Sequence, residues 1–193
     1  DLLWKRIGTP ASRRLAALEQ HLPQVRLRDD LSVEYVDLLN QVGRHEDALA
    51  YLGSRRFQPW EGGEGLARTQ HERTHLALGR LALATGEAAK ALAHFETALV
   101  APPNLGETKH LLANRSDIDY WLGCAAAALG DRNRARKAWT AAADFRGDFQ
   151  ERAVRIYSEM TYFGALSLQK LGRKAEARKL FRGLRTYARQ LFR

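Results

Sequence analysis

Apolar and charged side chains separate most cleanly near the C-terminal end of the chain. Ala177, Leu180, Phe181, Leu184, Ala188 and Leu191 fall on one side of a helix. Lys174, Arg178, Arg182, Arg185 and Arg189 follow at steps of four, four, three and four on another. This 3.6-residue period marks an amphipathic helix with a buried side and a basic stripe. The same reading, bounded by glycine, proline and polar residues, predicts helices over roughly 29–42, 45–56, 66–85, 88–100, 107–129, 132–145, 149–171 and 174–191. An earlier helix opens at Pro10, with Thr9 as its cap, and runs to about His21. No stretch reads as a β-strand.

The helices come in pairs with a fixed register. Gly43, Gly86, Gly130 and Gly172 recur at spacings of 43, 44 and 42 residues. Five residues after each stands Ala48, Ala91, Ala135 or Ala177. Nine after each stands a large apolar residue, Leu52, Phe95, Trp139 or Phe181. Seven before, three positions are small (Gly79, Gly123, Ala165) and Val36 is the exception. The glycine ends the first helix of a pair, where a left-handed backbone costs least without a side chain. The small residues let the paired helices approach, and the large one fills the space beside them. A single hairpin cannot bury its apolar side alone, so the units must stack.

These residues resemble the tetratricopeptide repeat (TPR). The second unit matches best, through Leu78, Gly79, Gly86, Ala91, Phe95, Ala98 and Pro103; the third carries Leu122, Gly123, Gly130, Ala135, Trp139 and Ala142. Arg55 departs from the pattern, standing where the family prefers alanine. The period also exceeds the family's roughly 34 residues, with the excess at 57–70, 101–115 and 145–157, where longer helices or inserted loops should sit. The resemblance implies an all-α fold, an α-solenoid of antiparallel helix hairpins: a TPR-like superhelix of about four repeats with long inter-repeat segments. Residues 29–193 would form one continuous array, with 1–28 an N-terminal helix packing on it.

Arrays of this family bind a peptide or helix in the groove lined by the first helix of each unit. Carried over by position, the groove would present Asp30, Asp37, Asn40 and Gln41, then Arg73 and Arg80, then Asp117, Tyr120 and Cys124, then Glu159, Tyr162 and Lys170. The binding candidates are Asp37, Asn40, Gln41, Arg73, Arg80, Asp117, Tyr120 and Tyr162. The set is mixed in charge and lacks the repeated lysine and asparagine pattern that clamps a terminal carboxylate.

Two inter-unit segments are more distinctive than the repeats. One runs Arg56-Phe57-Gln58-Pro59-Trp60-Glu61-Gly62-Gly63-Glu64-Gly65 and the other Pro102-Pro103-Asn104-Leu105-Gly106-Glu107-Thr108-Lys109. Together they resemble the C-terminal TPR region of bacterial proteins that also carry a galactose-mutarotase-like domain. That kinship implies an accessory helical region beside a carbohydrate-active domain. Read physically, Trp60, Glu61, Gly62, Gly63, Glu64 and Gly65 form a turn, with Phe57 and Trp60 tucked against neighbouring helices, or else a recognition loop. A phosphate-cradling loop would need a lysine and a preceding strand, and neither is present.

His71-Glu72-Arg73-Thr74-His75 matches H-E-x-x-H, which in zinc hydrolases sets two imidazoles on one helical face with the glutamate as base. Its continuation has Leu78 and Leu81 where a further glycine and histidine ligand would fall, and Glu96 is the remaining third-ligand candidate. The two histidines read better as part of a repeat helix, so neither metal nor cofactor is expected. Cys124, the single cysteine, sits in an Ala-rich helix and reads as a small packing residue. One cysteine fits a reducing compartment, and a cytoplasmic setting is expected. The net charge of +9 allows an acidic partner, but no nucleic-acid reading module accompanies it. No run approaches the roughly 18 apolar residues of a membrane span. The chain opens on Asp1 rather than methionine and is expected to be part of a longer protein. The function expected is a non-catalytic scaffold whose partner is a protein, a peptide or another domain of the same polypeptide.

Overall fold

The computed structural model describes residues 1–110, 113–150 and 153–191. Its elements are α1 (Leu2–Arg6), α2 (Ala11–Glu19), α3 (Leu22–Val25), α4 (Asp29–Gln41), α5 (His45–Gly53), α6 (Leu66–Ala84) and α7 (Ala88–Ala98). A 3-10 turn (Pro103–Leu105), α8 (Ser116–Ala128), α9 (Arg132–Asp144), β1 (Asp148–Gln150), β2 (Ala153–Arg155), α10 (Glu159–Lys170) and α11 (Lys174–Leu191) follow. The chain gathers into two compact units, 1–78 with 97–109, and 79–96 with 110–193.

Four consecutive helix hairpins, α4/α5, α6/α7, α8/α9 and α10/α11, carry the expected all-α fold. Their turns hold Gly43, Gly86, Gly130 and Gly172, each at a φ of 79 to 82°. In each, the residue after the glycine returns its N–H to a carbonyl in the last turn of the preceding helix, as Glu87 does to Ala82 at 2.8 Å.

The register of small and large residues has a direct steric reading. A Cβ placed on Gly79 would lie within 3.0 Å of ring atoms of Phe95, and one on Gly123 within 3.0 Å of Trp139. Phe95 is fully buried, so that ring has nowhere to retreat. The Trp139 indole N–H also donates to the Tyr120 carbonyl at 3.2 Å. In the first hairpin, Val36 replaces the small residue, and the opposing position holds Leu52 rather than an aromatic. Both are buried in one cluster, so a larger residue on one helix is matched by a smaller one on the other.

In the first unit the core is built from Leu15, Val25, Val33, Val36, Leu38, Leu39, Leu52 and Phe57, with Trp60 packed against it. Arg55, the departure from the repeat pattern, ties the end of α5 to the start of α4. Its guanidinium pairs with Asp29, donates to the Arg26 carbonyl at 3.0 Å, and lies 4.7 Å over the Phe57 ring. Buried Arg14 of α2 reaches Asp1 at 2.7 Å and also pairs with Glu34 of α4, whose carboxylate takes Lys5 at 2.9 Å. In the second unit Ala143, Leu168 and Ala177 form a buried cluster with Leu171, Leu180 and Phe181 against it.

Several helix boundaries differ from the sequence reading. Residues 1–28 form three short helices rather than one, and Pro10, not Thr9, stands at the α2 cap, with no side-chain bond there. The helix expected from 107 begins only at Ser116. Asn114 decides this: its side-chain oxygen accepts from the Ser116 N–H at 2.9 Å, while its own N–H and amide go to Asp148 and the Gly147 carbonyl. The helix expected from 149 begins at Glu159 behind a capping box in which Ser158 accepts from the Met160 N–H and Thr161 reaches back to the Ser158 N–H. Before it, β1 and β2 pair antiparallel with Phe149 opposite Val154, a small ribbon that the helical reading missed. Residues 111–112 and 151–152, which both helical readings crossed, lie outside the described residues. Finally, of the apolar side of α11 only Ala177 is buried; Leu180, Phe181, Leu184 and Ala188 are half-buried and Leu191 is exposed.

Gly79→Ala and Gly123→Ala should each lower stability by about 1–3 kcal/mol, the usual cost of overpacking, although alanine favours a helix by about 1 kcal/mol. Gly53→Ala, where nothing lies within 4 Å of the added Cβ, should change stability little or raise it. Urea unfolding of the three variants checks this; equal effects at all three positions would refute the close-approach account.

Candidate functional site

In the first unit the predicted groove residues are engaged with one another. Asp37 on α4 accepts from Gln41 on the same helix and from Gln70 of α6 at 3.1 Å, and pairs with Arg73. Asn40 donates to Gln70 and Thr74 at 3.2 and 2.9 Å, and its side-chain oxygen faces the His45 ring nitrogen at 2.9 Å. Asp37, Asn40, Gln70 and Thr74 are buried, while Gln41 and Arg73 stand at the exposed edge. One turn spacing on two neighbouring helices thus produces a polar seam joining α4 to α6. A buried carboxylate accepting three donors is held by them and has little left to offer a ligand.

The two distinctive segments pack on each other. Phe57 donates its N–H to the Asn104 carbonyl at 2.8 Å, and the Asn104 amide donates to the Leu52 and Arg55 carbonyls, both at 2.9 Å. The Gly65 N–H donates to Glu107, and the Phe57 carbonyl comes so close to Gly106 that a Cβ there would sit 2.7 Å away. Gly106 is left-handed at a φ of 75°. Within the loop, Gly62 donates to Glu64 at 3.0 Å, and the Trp60 indole lies across Gly63, closer than any Cβ would allow. Phe57 is buried and Trp60 half-buried, while Glu61 is exposed. Beside them Leu27, Arg28, Asp29, Asp30, Arg55, Arg56, Gln58 and Trp60 line a depression of about 560 Å³. Arg28, donating to Asp30 at 2.7 Å, holds that carboxyl below its ordinary range.

His71 and His75 lie one helical turn apart with ring centroids 4.5 Å apart, edge to face. Both are buried. Glu72 has each oxygen in an ion pair, one with Arg68 and the other with Lys109 at 3.0 Å. Glu96 pairs with Arg134. Among the described residues, no three His, Cys, Asp or Glu side chains gather as a metal site requires. Burial pushes the His71 imidazole below its ordinary pKa, and its Nδ1 has no partner.

The second unit presents aromatic rings on its first helices. Arg80 lies 5.1 Å over the Trp121 ring, which stacks toward Phe95 at 6.4 Å. Tyr120 is buried between Trp121 and Phe163, at 5.2 and 6.0 Å. Burial first, and then the Cys124 thiol beside it, raise the Tyr120 phenol to about 12. The Cys124 thiol is raised by its own burial. Asp117 is half-buried in the first turn of α8, where its carboxylate accepts from the Ile118 N–H at 2.8 Å. Tyr162, by contrast, is 46% exposed; its ring touches Phe163 at 5.5 Å and Phe181 of α11 at 5.8 Å. Lys170 sits 5.8 Å over the Trp139 ring.

The helix hairpins repeat, each turns on a left-handed glycine, and a glycine–aromatic clasp closes two of them. The fold is TPR-like. No model of a known protein family matches the chain. Among solved structures, the nearly identical TPR-like repeats of a kinesin light chain candidate from Podospora anserina are similar to it, with 16% identity, 98% of this chain and 92% of that one covered, and a TM-score of 0.44. Among the described residues no helix is long and apolar enough to cross a membrane.

Asp37→Ala should cost about 1–3 kcal/mol, because the buried Gln70 amide loses its acceptor; thermal or urea unfolding reads it. His71 gives a second outcome. A depressed folded pKa means that the unfolded chain binds more protons below about pH 6.5, so acidification through that range removes stability. The fall in melting temperature from pH 7.5 to 5.5 should therefore shrink in His71→Gln. An unchanged fall would show that His71 plays no part in it.

Proposed function

We propose that this chain is a non-catalytic protein-binding scaffold, a continuous TPR-like array over residues 29–193 with 1–28 as its N-terminal cap, and that it engages its partner through the second unit. One contrast carries this reading. Asp37 and Asn40, predicted to face a ligand, are spent on the seam between α4 and α6, and Tyr120 is enclosed by other rings. Tyr162 keeps nearly half of its surface in solvent beside the half-buried Phe181 and the exposed arginines of α11. Aromatic and arginine side chains in one exposed patch are the residue types that anchor protein interfaces. The partner can be a separate protein or another domain of one polypeptide. Arg80 and Trp121 extend the same kind of surface along the first helices.

The experiment is site-specific photocrosslinking with p-benzoylphenylalanine placed at Tyr162, with Lys90, exposed at the start of α7, as the control position. A discrete crosslinked polypeptide from Tyr162 and none from Lys90 is the expected result. No crosslink at Tyr162, or the same products from both positions, would overturn the proposal.

A further inference from the structure

The last helix has charge without counter-charge. Lys174, Arg178, Lys179, Arg182, Arg185 and Arg189 are all exposed on α11, and the helix holds a single carboxylate, Glu176. Glu176 is already taken: Arg173 donates to both its oxygens, at 2.7 and 2.8 Å, which lowers its pKa. Arg178 makes only a 3.4 Å contact to the Lys174 carbonyl of its own helix. Arg182 and Arg185 engage no carboxylate among the described residues. At two helix turns an arginine does find one, Arg44 with Glu19 and Asp47, and Arg173 with Asp144.

The cations stand at the rim of a concavity. Ala175, Arg178, Phe181, Arg182 and Arg185 are its described lining, around a volume of about 620 Å³. Residues 178, 182 and 185 repeat at helical spacing, so their guanidinium groups form a row spanning about 10 Å. Beside that row runs the incompletely covered apolar ridge of Leu180, Phe181, Leu184 and Ala188. The two features together, a cationic row and an apolar strip along one helix, complement a ligand that carries carboxylates on one side and an apolar side chain on the other. A nucleic acid fits less well. Its bases would need a run of open aromatic faces along the cationic row, and the ring within that row, Phe181, is instead packed against the Ala143, Leu168 and Ala177 cluster and touched by the Tyr162 ring.

We infer that this face of α11 binds an acidic polypeptide segment bearing an apolar anchor, with Arg178, Arg182 and Arg185 receiving the carboxylates and the Phe181 ridge receiving the anchor. The inference rests on the protein-binding reading above and names the chemistry of the partner at the same patch.

Fluorescence anisotropy tests it on the full chain. The probe is a labelled peptide of about twelve residues, rich in glutamate with two leucines one helical turn apart, used at about 150 mM salt. Binding should weaken about tenfold or more in the Arg178→Glu, Arg182→Glu, Arg185→Glu triple variant, since losing charge pairs to repulsion is worth at least that much. Arg132→Glu, Arg136→Glu, Lys137→Glu, an equal charge change on exposed positions of α9, should stay within about threefold, well short of a 1.4 kcal/mol difference. All three substituted sites on α11 are exposed, and circular dichroism confirms the fold of each variant. Replacing both leucines of the probe by serine should also weaken binding.

Equal loss in the two triple variants, or a serine probe that binds as well as the leucine one, would overturn the inference in favour of general charge attraction. Tighter binding of a labelled oligothymidine than of the peptide would overturn it in favour of nucleic acid. Absence of peptide binding would end it outright. If Tyr162 still crosslinks a discrete polypeptide in that case, the scaffold reading survives and only the acidic partner is lost.

Discussion

The closest approach of two helices governs this structure. Where α6 meets α7, and again where α8 meets α9, one helix has no side chain at the contact and the other fills the space with an aromatic ring. The pair can then close until backbone and ring touch, which excludes solvent over a long strip at the density of a protein interior. Everything else in a hairpin follows from that clasp. The turn must be short, so a left-handed glycine ends the first helix. The remaining apolar faces point outward from the pair and require another pair beside them.

Stacking the pairs is done differently in different places. In the first unit, α4 and α6 are joined by amides, a carboxylate and a hydroxyl, bonded into one seam. Such a seam has strict geometric demands, since a buried donor without an acceptor costs about 1–3 kcal/mol, and it therefore favours one register over sliding alternatives. In the second unit, rings do the joining: Phe95, Trp121, Tyr120, Phe163, Tyr162 and Phe181 follow one another in contacts of about 5 to 6.5 Å, the range in which aromatic pairs attract. Rings tolerate exposure better than a half-satisfied polar seam does. That difference leaves Tyr162 of the second unit open to solvent, while Asp37 and Asn40 of the first are occupied.

The segments between hairpins are built as braces. The Trp60 loop and the Asn104–Glu107 segment exchange backbone and side-chain bonds with each other and with the end of α5, which explains why both are rich in glycine and proline. Asn114 performs a comparable task near β1, holding Asp148 and Gly147 while starting α8. Such inserts lengthen the repeat without disturbing the clasp, because they enter where no helix pair is in contact.

Much of this was legible in the residues. The glycine period, the alanines five positions on and the large apolar residues nine positions on led to the four hairpins and their turns, because left-handed backbone and steric clearance are local demands that only certain residues meet. The basic stripe of α11 was equally visible, since helical spacing alone places its cations. Partner choice was not legible. Asp37, Asn40 and Tyr120 have the residue types of a binding surface, yet whether they meet solvent depends on neighbours 30 or more positions away, such as Gln70, Thr74 and Phe163. The starts of α8 and α10 were missed for the same reason: helical propensity continues through 107–115 and 149–158, but bonds from Asn114 and the Ser158–Thr161 cap draw the backbone elsewhere. Local sterics are written in neighbouring letters, whereas satisfaction of polar groups is settled only when distant helices have come together.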